Sequence, residues 1–388
     1  TDLAVADGRI IGLGIGYSAT ETVDGPGLYA VPGFIDAHVH IESSLMTPAR
    51  FQEAVLPCGT TSVLWDPHEI ANVKGVAGIE WALKASDNLL LDIFVMVPSC
   101  VPSTNPEFEL ESSGATLRAD DIKKFRDHPR VMGLAEMMNF PGLLNKDEDV
   151  LQKLLDFQGL RRDGHCPGLS GKDLNAYAMA GITSCHESTT AAEASEKMSK
   201  GIHVLIREGS CAKDADTLLP ILTPFSSANL AFCSDDRNPL DIQNEGHINY
   251  VAELGLRHGK SPEEVFRAAS YAAARIYGLD DRGALAPGYI ADFNLVRPKA
   301  KSWAFGFDLL ATYKRGLLIN RDKLREVRSV PLATRAKNLH LTPPSLEDMR
   351  ISVGSAESVT KAEVRVIGVI PRQILTHHER LEMTVRNG

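Results

Sequence analysis

From Val31 onward, short apolar runs alternate with amphipathic stretches at intervals of roughly 20 to 35 residues. The apolar runs finish on polar or charged residues: GFIDAHVHIE, TSVLWDPHE, IFVMVPSC, VMGLAEMMN, RRDGHCPG, ITSCHES, HVLIREGS and AFCSDDR. Each reads as a buried strand. Between several of them lie helical patterns: ANVKGVAGIEWALKAS, ADDIKKFRDH, DEDVLQKLLDF, GKDLNAYAMA and TAAEASEKMSK. Eight strand candidates with intervening helices predict a (β/α)8 barrel, whose chemistry sits at the C-terminal ends of its strands.

The two flanks have a different texture. LAVADGRIIGLG and VDGPGLYAVPG read as short strands and turns. After the helical run SPEEVFRAASYAAARIYGL, the stretch DRGALAPGYIADFNLV returns to turns and strands. The expected architecture is therefore α/β: a TIM-like barrel with a small β-sandwich formed by both ends. Residues 1–30 and 285–335 form the sandwich, and residues 31–284 the barrel. LTPPSLEDMRISVG and KAEVRVIGVIPRQ read as further loops and strands, so residues 336–388 are expected to begin a C-terminal domain that stops short.

Composition narrows the class. The chain has 388 residues and a formal net charge of −9, which argues against nucleic-acid binding. No apolar stretch approaches the roughly 18 residues of a membrane span. The opening, TDLAVADGRI, has no charged segment followed by an apolar one, so no secretory signal is expected. Six scattered cysteines without a C-x-x-C read as reduced thiols in a cytoplasmic protein.

The candidate chemistry clusters at the strand ends. His38 and His40 alternate, so they project together as a pincer for a transition metal. Alone, H-x-H is as compatible with two ordinary core or surface histidines. Glu136, His165, His186 and Asp235 also lie at strand ends. Four imidazoles and two carboxylates at one end of a barrel suit two adjacent ions, with Glu136 able to bridge them. HEIAN and HESTT lack the second histidine of H-E-x-x-H, and Pro57-Cys58 is not followed by the second cysteine of a cytidine-deaminase signature. GIGYSA opens onto turns, not a helix, which argues against a dinucleotide site. Cys166 and Cys185 face away from the candidate ligands and read as packing residues, as does Cys233. The loop Asp66-Pro67-His68-Glu69 should rim the pocket; the bland alternative is a turn with helix-cap charges. Glu187, beside His186, is a weaker candidate for the pocket, the alternative being that it faces away.

VPGFIDAHVHIESS and GALAPGYIADF resemble the amidohydrolase superfamily. WDPHEIANVKG, PSCVPST, GLAEMMNFPG, DGHCPGLSGKDLNAY and SDDRNP resemble its bacterial adenine deaminases. The resemblance implies hydrolysis of adenine to hypoxanthine and ammonia, with metal-bound hydroxide attacking C6 and Asp235 as proton shuttle. Another amidohydrolase reaction, on a cyclic amide or another 6-substituted purine, is the alternative. The implied ligands are His38, His40, Glu136, His165, His186 and Asp235, Glu136 standing where many relatives use a carboxylated lysine. The implied cofactors are two divalent ions, manganese foremost, with iron or zinc also compatible. From their place on the rim loop, Asp66, His68 and Glu69 are the candidate substrate contacts, with His68 and Glu69 also candidates for proton transfer. The implied partner is the small molecule adenine, and the superfamily favours a homo-oligomer.

Overall fold

The structure, a computed structural model, describes residues 1–104, 114–332, 342–353 and 360–385. The chain divides into two compact units, Thr1–Ala333 and Thr334–Gly388. The expected sandwich boundary at 335–336 lies outside the described residues.

The first unit opens with an antiparallel hairpin, β1 (Asp2–Ala6) and β2 (Arg9–Gly14), followed by β3 (Tyr29–Pro32). Eight parallel strands come next: β4 (Phe34–Val39), β5 (Thr60–Trp65), β6 (Asp92–Val97), β7 (Val131–Met137), β8 (Arg161–Gly164), β9 (Ser184–Cys185), β10 (His203–Arg207) and β11 (Leu230–Cys233). They pair strictly in chain order. The ring closes where the first strand meets the last: Asp235 N–H donates to His38 O at 3.0 Å, and His40 N–H donates to Asp235 O at 3.3 Å. The expected barrel is the observed one, and all eight strand candidates are strands.

β12 (Phe293–Pro298), β13 (Phe307–Lys314) and β14 (Leu317–Leu318) join β3 in an antiparallel sheet. Ile10 of the hairpin packs with Ala291 and Phe293 beside this sheet, giving the extra β layers a small core. The first unit thus combines an α/β barrel with a small β domain drawn from both of its flanks.

The barrel interior is filled by Ile35, Ala37, Leu64, Met96, Ala135, Leu205, Ala231 and Cys233. A helical run from Pro262 to Tyr277, with one wide π turn at Arg267–Tyr271, closes the floor. It starts from a capping box between Ser261 and Glu264. Its alanines 272, 273 and 274, with Ile276 and Tyr277, pack into the interior cluster, where small side chains allow close approach. Tyr277 O–H reaches both oxygens of the buried Asp163, at 3.0 and 2.9 Å.

One helical pattern is divided. The stretch from Ala71 to Ser86 reads as a single helix, but the structure has two, His68–Lys74 and Val76–Ala85. Gly75 between them has φ +59° and ψ −137°. A Cβ there would also come within 3.2 Å of Ala115 Cβ. Glycine tolerates both conditions.

At the N-terminal end of the barrel, Asp92 ties it to the small sheet. Its Oδ2 accepts from Arg282 Nη1 at 2.5 Å and from Lys314 Nζ at 2.7 Å; its Oδ1 accepts from Arg315 at 3.2 Å. Burial would raise this carboxyl, but Lys314 and Arg282 outweigh burial and hold it at about 2. No helix among the described residues is long and apolar enough to cross a membrane.

The second unit contains one hairpin, β15 (Lys361–Val369) and β16 (Thr376–Thr384), in unbroken register. Val364 and Leu381 face each other on one side; the pairs Lys361–Glu382 and Glu363–Arg380 lie on the other.

Candidate metal centre

Two local irregularities aim the site. On β4, Ile35 and Ala37 point into the barrel, while Val39 packs with the outer helices. Simple alternation would then send His38 outward. The β4–β5 register shifts between Asp36 and Val39, and this change of phase turns His38 and His40 inward. β7 repeats the device. Leu134 and Met137 are outer, Ala135 is inner, and a shift between Leu134 and Met137 brings Glu136 inside as well.

The six residues expected as ligands converge at the C-terminal end of the barrel. His38 Nε2 and His40 Nε2 meet at 3.0 Å. Asp235 Oδ1 stands 3.2 Å from His40 Nε2 and 3.7 Å from His38 Nε2. Glu136 divides its oxygens between two groups. Oε1 lies 3.4 Å from His40 Nε2 and 3.3 Å from His68 Nδ1, and Oε2 lies 2.6 Å from His165 Nδ1 and 3.2 Å from His186 Nε2. The rings of His38 and His186 stack at 4.0 Å. His38, His40, Glu136 and His186 are almost wholly enclosed, whereas His165 and Glu69 leave 21% and 34% of their side chains open. The opening is therefore on that side.

The loop expected at the rim is deeper than a rim. His68 touches Asp66 Oδ2 at 3.2 Å as well as Glu136, and Glu69 Oε2 approaches His40 Nδ1 at 3.4 Å. Of the two orientations open to Glu187, the structure has the one toward the site: it is buried, with Oε1 3.5 Å from His186 Nε2 and paired with Arg207. Arg207 is the main residue that sequence reasoning missed. It is fully buried, reaches Asp235 Oδ2 at 3.1 Å, and binds Asp214 at 2.8 Å. Cys166 and Cys185 pack in the outer core with sulfurs 3.7 Å apart, and Cys233 fills the barrel, as expected of packing residues.

Burial disfavours charge in every group here, and the groups answer by pairing. Glu136, against its own burial, is held far below the usual carboxylate range by His165, His186 and His68. Asp235 is likewise lowered by His40, His186 and Arg207. Against the same cost, Glu69 and Asp235 raise His40, Glu136 raises His165, and Glu136 lifts His186 to about 9. His38 goes the other way: burial, then repulsion from His186 and His40, lowers it.

The donor set fits divalent cations. His40, Asp66, His68 and Glu136 form one group of potential ligand atoms within 4.8 Å of one another; His38, His186 and Asp235 form a second, and Glu136, His165 and His186 a third. Asp66 Oδ1 is buried without a hydrogen-bond partner, as a donor awaiting a cation would be. Imidazole and carboxylate donors without thiolate suit manganese, iron or zinc.

Residues 29–319 match the model of the amidohydrolase family. The chain is 45% identical over its whole length to a protein of Methylobacterium nodulans named adenine deaminase, and 43% identical to adenine deaminase 1 of Rhizobium etli. It spans 66% of the length of each, just under two thirds. Among solved structures, an adenine deaminase superposes with a TM-score of 0.59 at 17% identity, covering 82% of this chain and 95% of that one. A β-aspartyl dipeptidase from Fervidobacterium islandicum gives 0.56, also at 17% identity, over 80% of this chain and 89% of that one. At such identities these likenesses concern the fold alone.

Proposed function

The chain belongs to the amidohydrolase family, and from that premise we propose that it hydrolyses adenine to hypoxanthine and ammonia. The observation that carries this reading is identity of 42–45% to proteins named adenine deaminase over 97–100% of the chain. The convergence of His38, His40, Glu136, His165, His186 and Asp235 supports it. These six would hold two divalent ions, manganese first among the candidates, with iron or zinc as alternatives. Such ions, when bound, acidify water to a pKa of about 7.

The protein's own groups account for the rest. In the reaction a C6–O bond forms, the C6–N bond to the amine breaks, and a proton passes from the attacking water to departing ammonia. Asp235 suits that transfer: Arg207 steadies one oxygen while the other faces His40. Glu136, with one oxygen toward each histidine group, would bridge the ions and offset their charge. His68 and Glu69 would meet the polar edge of the purine and relay protons, and Asp66 orients His68. Supporting expectations are a homo-oligomeric assembly and a cytoplasmic location.

The test is a substrate panel on purified protein with its metal content measured. Adenine, dihydroorotate and a hydantoin are compared, following ammonia release for the first and ring opening for the others. Ammonia from adenine with about two metal equivalents per chain is the expected result. Ring opening without adenine turnover would overturn the reading in favour of cyclic-amide hydrolysis.

A further inference from the structure

We propose that Glu42 is a positioning residue: its carboxylate clamps both ends of the loop Asp66–Glu69 and so sets where that loop meets the substrate. The inference deepens the reading above and rests on it for the identity of the substrate. Glu42 follows His40 closely, in the short turn Ile41–Ser44. Its Oε2 accepts a hydrogen bond from Trp65 Nε1 at 2.7 Å, and its Oε1 accepts one from the backbone N–H of Ile70 at 3.1 Å. Trp65 is the last residue of β5, and Ile70 is the third residue of the helix His68–Lys74. The two donors therefore bracket the loop that carries Asp66, His68 and Glu69.

The start of that helix explains the need. The first N–H groups of a helix have no partner within it, and a side chain at the preceding position usually accepts one of them. Here that position is Pro67, which has no acceptor side chain. Glu42 supplies the missing acceptor from another segment. The near end of the loop has its own anchors at and just past the end of β4: Asp66 N–H donates to Val39 O at 3.1 Å, and Asp66 O lies 3.0 Å from His40 Nδ1. Among the described residues, Glu42 is the side chain that holds the backbone N–H of Ile70 at the far end. Removing it frees that end and leaves the buried Trp65 indole N–H without its acceptor. A shift of about 1 Å in groups that meet a reacting substrate can cost on the order of 100-fold in rate.

The test compares manganese-loaded parent with Glu42→Ala, Glu42→Gln, Trp65→Phe and the double variant Glu42→Ala/Trp65→Phe. Metal content should match the parent throughout. Glu42→Ala should raise KM for adenine and lower kcat/KM by about 10- to 100-fold. Glu42→Gln keeps an acceptor for one donor and should recover part of the loss. The double variant should be little worse in KM than Glu42→Ala, because both substitutions break one arrangement. A residue serving only to stabilise the fold would reduce the active fraction and leave KM unchanged. Hydrogen exchange over residues 65–72, read without adenine, should be faster in Glu42→Ala. A parent that releases no ammonia from adenine defeats the functional reading, and exchange then decides Glu42 alone. Unchanged exchange, parent-like KM in an active series, or loss of metal in Glu42→Ala would each overturn the positioning role.

Discussion

Replacing Asp92 with Asn should weaken the protein without touching its chemistry. Asp92 lies at the barrel end opposite the candidate metal centre, held by Arg282, Lys314 and Arg315. Its side chain is 13% exposed, so solvent screens the pairing little. The carboxyl falls from 3.8 to about 2 on folding. At about 1.36 kcal/mol per pH unit, that corresponds to about 2 kcal/mol of stability. The sign follows from a depressed pKa: the contribution is complete above pH 3.8 and fades as pH falls toward 2. Lys314 keeps Asp292 as a second partner at 2.5 Å, so Asp92→Asn does not strand a lone buried cation. The loss should therefore stay below the roughly 3–5 kcal/mol typical of breaking a buried pair outright. Urea unfolding of parent and variant, followed by circular dichroism at several pH values, reads this directly. A gap of about 2 kcal/mol at pH 7 that closes between pH 4 and 2 is expected, with KM for adenine unchanged. A gap of the same size at every pH would mean that lost packing, not charge, is responsible, and no gap at pH 7 would refute the clamp.

His38→Ala or His40→Ala should remove metal and turnover together while far-UV circular dichroism stays that of the parent; full metal with retained turnover would count against the pincer. Asp235→Asn should lower kcat by about 10²–10⁴, the usual contribution of a general acid–base group, with adenine still bound; rates within a few-fold of the parent would exclude the proton transfer. Glu136→Gln should lower metal occupancy, and Glu136→Ala should lower it further, since a neutral side chain is a poor bridge between two cations. Metal analysis against turnover for both variants checks this, and normal two-metal content in Glu136→Ala would defeat it.

The eight strands and the convergence of the six strand-end residues were legible because each depends on local pattern: an apolar run, then a polar residue at its end. The inward turn of His38 was less simply legible. It depends on a register shift that no residue between Asp36 and Val39 advertises. Arg207 was within reach, because alternation from the interior Leu205 places it inside just as alternation from Cys233 places Asp235. An arginine ending a strand reads by default as a surface charge, and only Glu187, Asp214 and Asp235 make it a buried one. The orientation of Glu187 stayed open for the complementary reason: its partner Arg207 lies on another strand. Glu42 had no local signature at all, since its two donors come from Trp65 and Ile70.

The barrel closes between its first and last strands through hydrogen bonds that involve His38, His40 and Asp235 themselves. Those strands are separated by nearly the whole barrel sequence, so their meeting is among the most entropically expensive contacts in the fold. A chain with the other strands assembled but this seam open would have much of its core and still lack the geometry of its reaction centre. The seam thus ties the assembly of the candidate site to ring closure: until the first and last strands meet, His38 and His40 are not held against Asp235.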